Sequence, residues 1–455
     1  MSLLPDLLLQ SLKNVDGFNE TDFVAVHESG EQIISIRINP AKKFNPDEHF
    51  NSVEKVPWST NGYYLKERPS FTVDPLFHAG AYYVQEASSM FLEEVVKQTC
   101  DLTKPLRVLD LCAAPGGKST LLQSIISEES LLVSNEIIKT RATILAENII
   151  KWGAANIIVT NNEAKDFQRL INFFDVIVVD APCSGSGLFR KDNNAINEWS
   201  ENNVGMCSTR QHRILADILP ALKPDGILIY STCSYSESEN ETIADKIVDE
   251  LSMKNIPINI SGFKGIVQTV SPKNNCKGYR FYPDKIRGEG FYIAAFKKIA
   301  EPDETEKRTK FKDLRIAKTA QEIVNNYILE NDKFTFIAHK DDILAIPTSI
   351  LNYFYEVQFC MYIKKAGIKI GTLIRNELIP AHDFALSKIA SDKIKIIDVS
   401  LGQTQDFLRK KEIVIDTDIK GWAMLNYNGM HIGFVKVLQG RINNYYPKEL
   451  RILNK

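Results

Sequence analysis

Two cysteines each close an apolar run. The first run is Phe174-Asp-Val-Ile-Val-Val-Asp-Ala-Pro-Cys-Ser-Gly-Ser-Gly187, ending in Asp180 and Cys183; the second is Gly226-Ile-Leu-Ile-Tyr-Ser-Thr-Cys-Ser234, ending in Cys233. A thiolate attacks electron-poor carbon, and covalent catalysis by sulfur splits one difficult step into two easier ones. Methylation at carbon 5 of cytosine needs such a step, because that carbon is a poor nucleophile. Sulfur adding at carbon 6 turns the ring into an enamine and activates carbon 5. A base must later take the carbon 5 proton, and the sulfur must leave. Asp180 is suited to hydrogen-bond the cytosine edge. A free thiol has a pKa near ~8.5, so the attacking cysteine needs help toward thiolate. The spacing of the two cysteines does not say which one attacks. A free cysteine is often only a small buried hydrophobe. Cys100, Cys112, Cys207, Cys276 and Cys360 read that way, whereas two strand-end thiols beside Asp180, flanked by glycine turns, read as chemistry.

The methyl donor has its own candidate site. Val108-Leu-Asp-Leu-Cys-Ala-Ala-Pro-Gly-Gly-Lys-Ser119 reads as a strand, a glycine turn and a helix start. Such a turn lets backbone approach a ligand, and the N–H groups of the helix start receive its polar atoms. A phosphate-cradling P-loop would need glycine where Cys112 stands, and the dinucleotide fingerprint Gly-x-Gly-x-x-Gly is absent. S-adenosylmethionine has no phosphate, so the Pro115-Gly116-Gly117 turn suffices. Glu136 closes the second strand, 26 residues after Asp110, where an acid accepts hydrogen bonds from ribose hydroxyls in doubly wound folds. Glu163 follows the third strand and is a candidate for the adenine amino group. The bland alternative for both acids is a solvated helix cap.

These residues need a sheet to hold them. Apolar runs at Leu106–Leu111, Leu131–Asn135, Ile157–Thr160, Phe174–Val179, Ile227–Ser231 and Phe291–Phe296 alternate with helical stretches. Runs buried on both faces and separated by helices predict an α/β fold with a mostly parallel, doubly wound sheet over residues 81–300. Ligands of such sheets bind beyond the carboxyl ends of the strands, so both cysteines should face the cofactor crevice. Ser236 and Glu239 form a capping-box pattern ahead of Ile243 and Ile247. Residues 1–80 read as a small α+β domain with an opening amphipathic helix and a strand at Gln32–Asn39. Residues 301–310 have a linker composition, leading to an intermediate unit up to 390. Residues 391–455 form the last unit, whose Trp422–Leu453 stretch reads as short strands broken by Asn428-Gly429 and Gly433. With 455 residues, 44% hydrophobic and 25% charged content and a net charge of -2, the chain is that of a soluble multidomain protein. The seven cysteines contain no Cys-x-x-Cys pair, which argues against a disulfide scaffold and a zinc site and for the cytoplasm. No metal, no membrane anchoring and a monomeric state are expected.

The same residues resemble the NOL1/NOP2/Sun RNA cytosine-5 methyltransferases. The resemblance is carried by DLCAAPGGKST (110–120), NE (135–136), DAPCSGSG (180–187), RKD (190–192), TRQ (209–211) and YSTCSYSESENE (230–241), with VQEASSM (84–90) and RFYPDKIRGEGFY (280–292) around them. It implies a Rossmann-like domain that binds S-adenosyl-L-methionine, with Cys233 as the attacking cysteine and Cys183 assisting product release. The implied cofactor positions are Cys112, Ala113, Ala114, Pro115, Gly116, Gly117, Lys118, Glu136 and Asp180, to which Arg141 is added. The family usually has Asp where Glu163 stands and Pro-His where Pro283-Asp284 stands. The tail is similar to the PUA-like portion of bacterial 16S rRNA methyltransferases of the F type. That makes 16S rRNA or the small ribosomal subunit the leading partner, with transfer RNA second. Carbon 6 is hidden in a duplex, so the target base must be unstacked. Arg190, Lys191 and Arg210 are expected in loops near the reacting strands as phosphate contacts. From His431 onward five basic residues, Arg441 and Lys448 among them, face one acidic residue, Glu449, with Tyr445 and Tyr446 interleaved. That composition suits RNA phosphates and exposed bases. The competing readings are methylation of DNA or an exocyclic amine, and a non-catalytic RNA-binding assembly factor.

Overall fold

The computed structural model describes residues 4–51, 53–299, 311 and 314–453. The linker expected at 301–310 and Lys455 lie outside the described residues. Among the described residues, twenty-two strands fall into four sheets. The first sheet is antiparallel, in the order β2-β3-β1-β4, from β1 (Ile34–Ile38), β2 (Val53–Lys55), β3 (Gly62–Leu65) and β4 (Tyr82–Val84). The opening helix is Asp6–Leu12, burying Leu8, Leu9 and Leu12.

The large sheet contains β5 (Arg107–Asp110), β6 (Leu131–Asn135), β7 (Ile157–Thr160), β8 (Phe174–Asp180), β9 (Leu222–Thr232), β10 (Met253–Ile256), β11 (Val267–Val270), β12 (Lys277–Phe281) and β13 (Phe291–Lys298). Its spatial order is β11-β12-β13-β9-β8-β5-β6-β7, with β10 also on β13. The block β9-β8-β5-β6-β7 is parallel. All residues of β6 and β7 are buried, as helices on both faces require. The order reverses between β5 and β8, which opens the ligand crevice at their carboxyl ends. The expectation of a mostly parallel sheet is corrected on one side. The Phe291–Phe296 run lies antiparallel to β9, and β10, β11 and β12 follow that sense. A parallel neighbour needs a helical crossover, and the chain between β11, β12 and β13 contains none.

The chain beyond 313 is not a separate appendage. Strands β14 (Phe334–His339), β15 (Asp342–Pro347), β17 (Ile368–Ile374) and β18 (Glu377–Pro380) form their own sheet, but β16 (Ile363–Ala366) adds antiparallel to β7. The helix Leu351–Cys360 places Leu351, Phe354 and Val357 in one core with Leu109, Val133 and Ile177. The last sheet runs β19 (Lys395–Asp398), β20 (Gly421–Tyr427), β21 (Met430–Leu438), β22 (Arg441–Asn444). Asn428 and Gly429, at φ 48° and 78°, make the expected hairpin turn. Gly433 does not break a strand: it lies inside β21, where a Cβ would come within 2.6 Å of Phe407. Phe407 and Val435 share a core with Ile36 and Tyr82 of the first sheet, so the two ends of the chain pack together.

Candidate active site

Asp110 and Asp180 end the adjacent strands β5 and β8. The Lys118 ammonium reaches Asp180 Oδ2 at 2.8 Å, and Ser231 Oγ donates to Asp180 Oδ1 at 2.8 Å. Burial pulls the Lys118 ammonium toward neutrality, but Asp180, then Asp110 and Cys233, outweigh it and hold it charged above its ordinary range. Its Nζ also lies 5.1 Å from the centre of the Phe291 ring. Lys118 is thus a cation whose charge acts on Cys233.

The two cysteines predicted from strand ends do meet. Cys183 Sγ and Cys233 Sγ are 3.0 Å apart, both thiols free and half-buried. Gly187 N–H donates to Cys233 O at 2.8 Å, and Tyr235 N–H donates to Ser186 Oγ at 2.9 Å, so the loop after each strand is fixed by the other. Any side chain at Gly187 would collide with the carbonyls of Gly290 and Cys233, at 2.5 and 2.8 Å. The hydrogen bond to Cys233, then burial, then the charges of Cys233 and Glu239 push the Cys183 thiol well above its ordinary value. The expected Ser236–Glu239 capping box is not formed. Ser236 Oγ has no partner, and Glu239, fully buried, turns instead to the two cysteine loops. A buried carboxyl is satisfied there by several donors, which a solvent-edge cap cannot offer.

Around the first glycine turn, Gly116 sits at φ 117° and precedes the helix Gly117–Ile125, whose start has no side-chain cap. The first N–H groups of an α-helix have no partner within the helix, and here no side chain caps them. Asp110 is completely buried; one oxygen accepts from Ser119 Oγ at 2.7 Å and the other has no partner. Burial raises this carboxyl to about 7, with Asp180 and Glu136 adding to the effect against Ser119 and Lys118. Glu136 is 2% exposed and accepts from Ile138 N–H at 2.9 Å. Arg141 braces the turn, donating to Ala114 O at 2.8 Å and lying 3.4 Å from Glu136. Ala113 and Ala114 are buried, and Ala113 N–H donates to Asn135 O at 2.8 Å. Cys112 lies among these acids: burial, then Asp180, Asp110 and Glu136, drive its thiol far above the ordinary range. Glu163 departs from the group. Its side chain is exposed, caps the turn Ala164–Arg169 together with Asp166 and pairs with Lys165 at 2.8 Å.

Among the expected RNA contacts, Arg190 is corrected. Its side chain is 4% exposed, lies 3.6 Å from the buried Glu289 and donates to Gly288 O and Glu31 O. A guanidinium so engaged holds the protein together and is not free for phosphate. Arg210 lies in the helix Glu201–Ile218, not in a loop, and is exposed. Lys191 is exposed and shares a cavity of about 330 Å³ with Arg68, Gln85 and Glu86. Arg441 and Lys448 are exposed. Lys436 pairs with Glu377 at 2.6 Å. Tyr446 is buried against Phe407 and His382, so of the two tail tyrosines only Tyr445 has an accessible ring.

One residue had no signal in the sequence. Arg37 of β1, 1% exposed, inserts into the cofactor side of the large sheet. It donates to Gln85 Oε1, Gly117 O, Thr120 O, Thr120 Oγ1 and Ser124 Oγ, and lies 4.7 Å over the Trp152 ring. The alternating strand pattern placed it on one face or the other, but could not show a helix start waiting there.

Three family models match the chain. Residues 98–297 match the model of the 16S rRNA methyltransferase RsmB/F, residues 4–87 that of the N-terminal domain of 16S rRNA methyltransferase RsmF, and residues 394–452 the methyltransferase RsmF PUA domain. The chain is 29% identical to the ribosomal RNA small subunit methyltransferase F of Psychromonas ingrahamii, over 94% of this chain and 93% of that one. It is 26% identical to the protein of the same description from Vibrio vulnificus, over 98% and 97%. Among solved structures, a methyltransferase homolog from Pyrococcus horikoshii aligns with 65% of this chain and 100% of its own, at TM-score 0.53 and 26% identity.

Proposed function

Because the chain belongs to the RsmB/F family of 16S rRNA methyltransferases, S-adenosylmethionine-dependent enzymes, we propose that it methylates carbon 5 of a cytosine in 16S rRNA through a covalent Cys233 adduct. The observation that carries this reading is the pair of free thiols 3.0 Å apart, beside the Lys118–Asp180 ion pair. Exocyclic amine methylation needs no thiol.

The residues fit the cofactor. The uncapped start of Gly117–Ile125 and the positive φ of Gly116 leave backbone N–H groups open, Glu136 offers its carboxylate to a ribose, and Asp110 keeps an orphaned oxygen. S-adenosylmethionine supplies an electrophilic methyl group. The protein residues do the rest. Lys118 interacts electrostatically with Cys233, and its opposite charge is placed to stabilise the sulfur anion that the adduct releases. The Cys233 sulfur lone pair forms the bond to carbon 6, and the ring electrons move toward carbon 5 and the pyrimidine edge. Asp180 hydrogen-bonds that edge. After methylation a general base takes the carbon 5 proton, its electrons restore the carbon 5–carbon 6 double bond, and the sulfur of Cys233 departs as thiolate. Cys183, kept protonated, donates its S–H to the departing sulfur. The electrostatic contrast between the thiols supports this division of labour: Cys233 has Lys118, Cys183 has Glu239. Lys191, Arg210, Arg441 and Lys448 are the exposed cations that contact RNA phosphates in this reading, and Glu163 is left at the margin of the adenine site.

The test is methyl transfer from labelled cofactor to small-subunit RNA, followed by nucleoside analysis. The label is expected in 5-methylcytidine of 16S rRNA. Label only in transfer RNA, in DNA or in an amine-methylated base would overturn the proposal.

A further inference from the structure

Glu239 is 0% exposed, yet every partner of its side chain is neutral. Oε1 accepts from Ser184 N–H at 2.8 Å and from Gln211 Nε2 at 3.2 Å; Oε2 accepts from Ser184 Oγ at 2.5 Å and Ser234 Oγ at 2.6 Å. Ser184 follows Cys183 and Ser234 follows Cys233. One carboxyl therefore bridges the residues immediately after both cysteines. Gln211 extends the clamp by donating to Pro182 O at 3.1 Å, immediately before Cys183. Tyr230 OH donates to the Glu239 carbonyl at 2.6 Å, which fixes the backbone from the strand below.

We propose that Glu239 is a positioning residue that locks the Cys183 loop to the Cys233 loop and makes the two thiols unequal, with Cys233 the more reactive. The inference rests on the covalent reading given above. It makes specific why a carboxyl, and not an apolar side chain, occupies a fully buried place. Burying such a group is costly unless donors satisfy it, and here its four contacts all serve the two loops.

The groups facing the pair divide by sign. The charge of Glu239 acts on Cys183, and Lys118, paired with Asp180 at 2.8 Å, acts on Cys233. Glu239 also bears on Cys207 of the helix Glu201–Ile218, where Arg210 Nη2 lies 3.8 Å from the Cys207 sulfur. The two sulfurs lie 3.0 Å apart and either can donate to the other; in this proposal it is the Cys183 proton that is turned toward the Cys233 sulfur, which leaves a Cys233 lone pair free to attack.

The experiment is site-resolved alkylation of the full-length protein by iodoacetamide at pH 7, read by peptide mass spectrometry, alongside methyl transfer. Wild type should lose Cys233 first. Glu239→Gln keeps the size and removes the charge; its amide oxygen can still accept from Ser184 N–H and Gln211, while its NH2 must donate to the Ser184 and Ser234 hydroxyls, which can accept, so the Cys233-to-Cys183 rate ratio should fall about tenfold, the change of thiolate fraction for one pKa step. Ser184→Ala with Ser234→Ala keeps the charge but removes two arms of the clamp. It should lower kcat about tenfold or more, with KM for cofactor and RNA unchanged, since a misplacement of about 1 Å costs on the order of a hundredfold. A folded Glu239→Gln protein with the wild-type alkylation ratio, or a Ser pair variant with wild-type kcat, overturns the inference. Methyl transfer that persists in Cys233→Ala overturns the covalent reading itself, so the two failures are told apart.

Discussion

Truncating Arg37 should loosen the cofactor turn from the side of the N-terminal sheet. Its guanidinium makes five hydrogen-bonding contacts, four of them to the helix Gly117–Ile125. Hydrogen bonds from a charged donor are worth roughly 1.5 kcal/mol or more each, which gives a gross gain of about 8 kcal/mol. Against this stands the cost of taking the cation from water without a carboxylate, several kcal/mol for a buried ion. Burial lowers the Arg37 pKa from 12.5 to about 9, which shows that this cost is felt. The surplus is about 3–4 kcal/mol, and Arg37→Ala also removes the packing over Trp152. At about 2–4 °C per kcal/mol for a domain of this size, the midpoint should fall by roughly 6–16 °C. Thermal unfolding followed by circular dichroism measures it, and calorimetric titration with S-adenosylmethionine should show several-fold weaker binding. Arg37→Lys keeps the charge but cannot span Gln85 and the helix together, so it should recover less than half of the loss. A shift below about 2 °C for Arg37→Ala, with unchanged cofactor affinity, would refute the reasoning.

Three further outcomes follow from the site. Glu136→Ala should weaken cofactor binding at least about tenfold, the equivalent of one lost charge-assisted hydrogen bond; unchanged affinity would remove its ribose role. Lys191→Ala should reduce the slope of log affinity for RNA against log salt by about 1, whereas Arg190→Ala should leave that slope alone and lower stability, because Arg190 is sealed against Glu289, Gly288 and Glu31. Burial raises the Glu289 carboxyl from 4.5 to about 7 despite Arg190 nearby. The folded state therefore holds this proton more tightly than the unfolded chain. Its contribution is full below about pH 4.5 and is lost as pH rises through about 7. Urea midpoints measured from pH 4.5 to 8 should decline less in Glu289→Gln than in wild type, and parallel declines would contradict this.

The apolar runs of the parallel block were legible because strands buried on both faces read as uninterrupted hydrophobic segments, as β6 and β7 are. The glycine turn and the two strand-end cysteines were legible because their chemistry restricts residue type. Pairing sense was not: the Phe291 run looks like its parallel neighbours, and only the helix-free connections set it antiparallel. Arg190 shows the same limit for charge. A sequence gives the sign of a side chain but not whether a buried acid such as Glu289 has already claimed it. Glu239 was visible, but as a helix cap. Its pattern with Ser236 is local, while the donors that captured it, Ser184 and Gln211, come from 55 and 28 residues away. Glu163 went the other way, its capping pattern with Asp166 being realised.

The most direct measurement of the covalent reading is denaturing electrophoresis of Cys183→Ala and Cys233→Ala proteins after incubation with small-subunit RNA and cofactor. Cys183→Ala should accumulate a protein–RNA complex that survives denaturation, since the adduct forms and its release is impaired. Cys233→Ala should form none while still binding cofactor. A complex that accumulates in Cys233→Ala and is absent from Cys183→Ala would reverse the two roles, and its absence from both would contradict the covalent route.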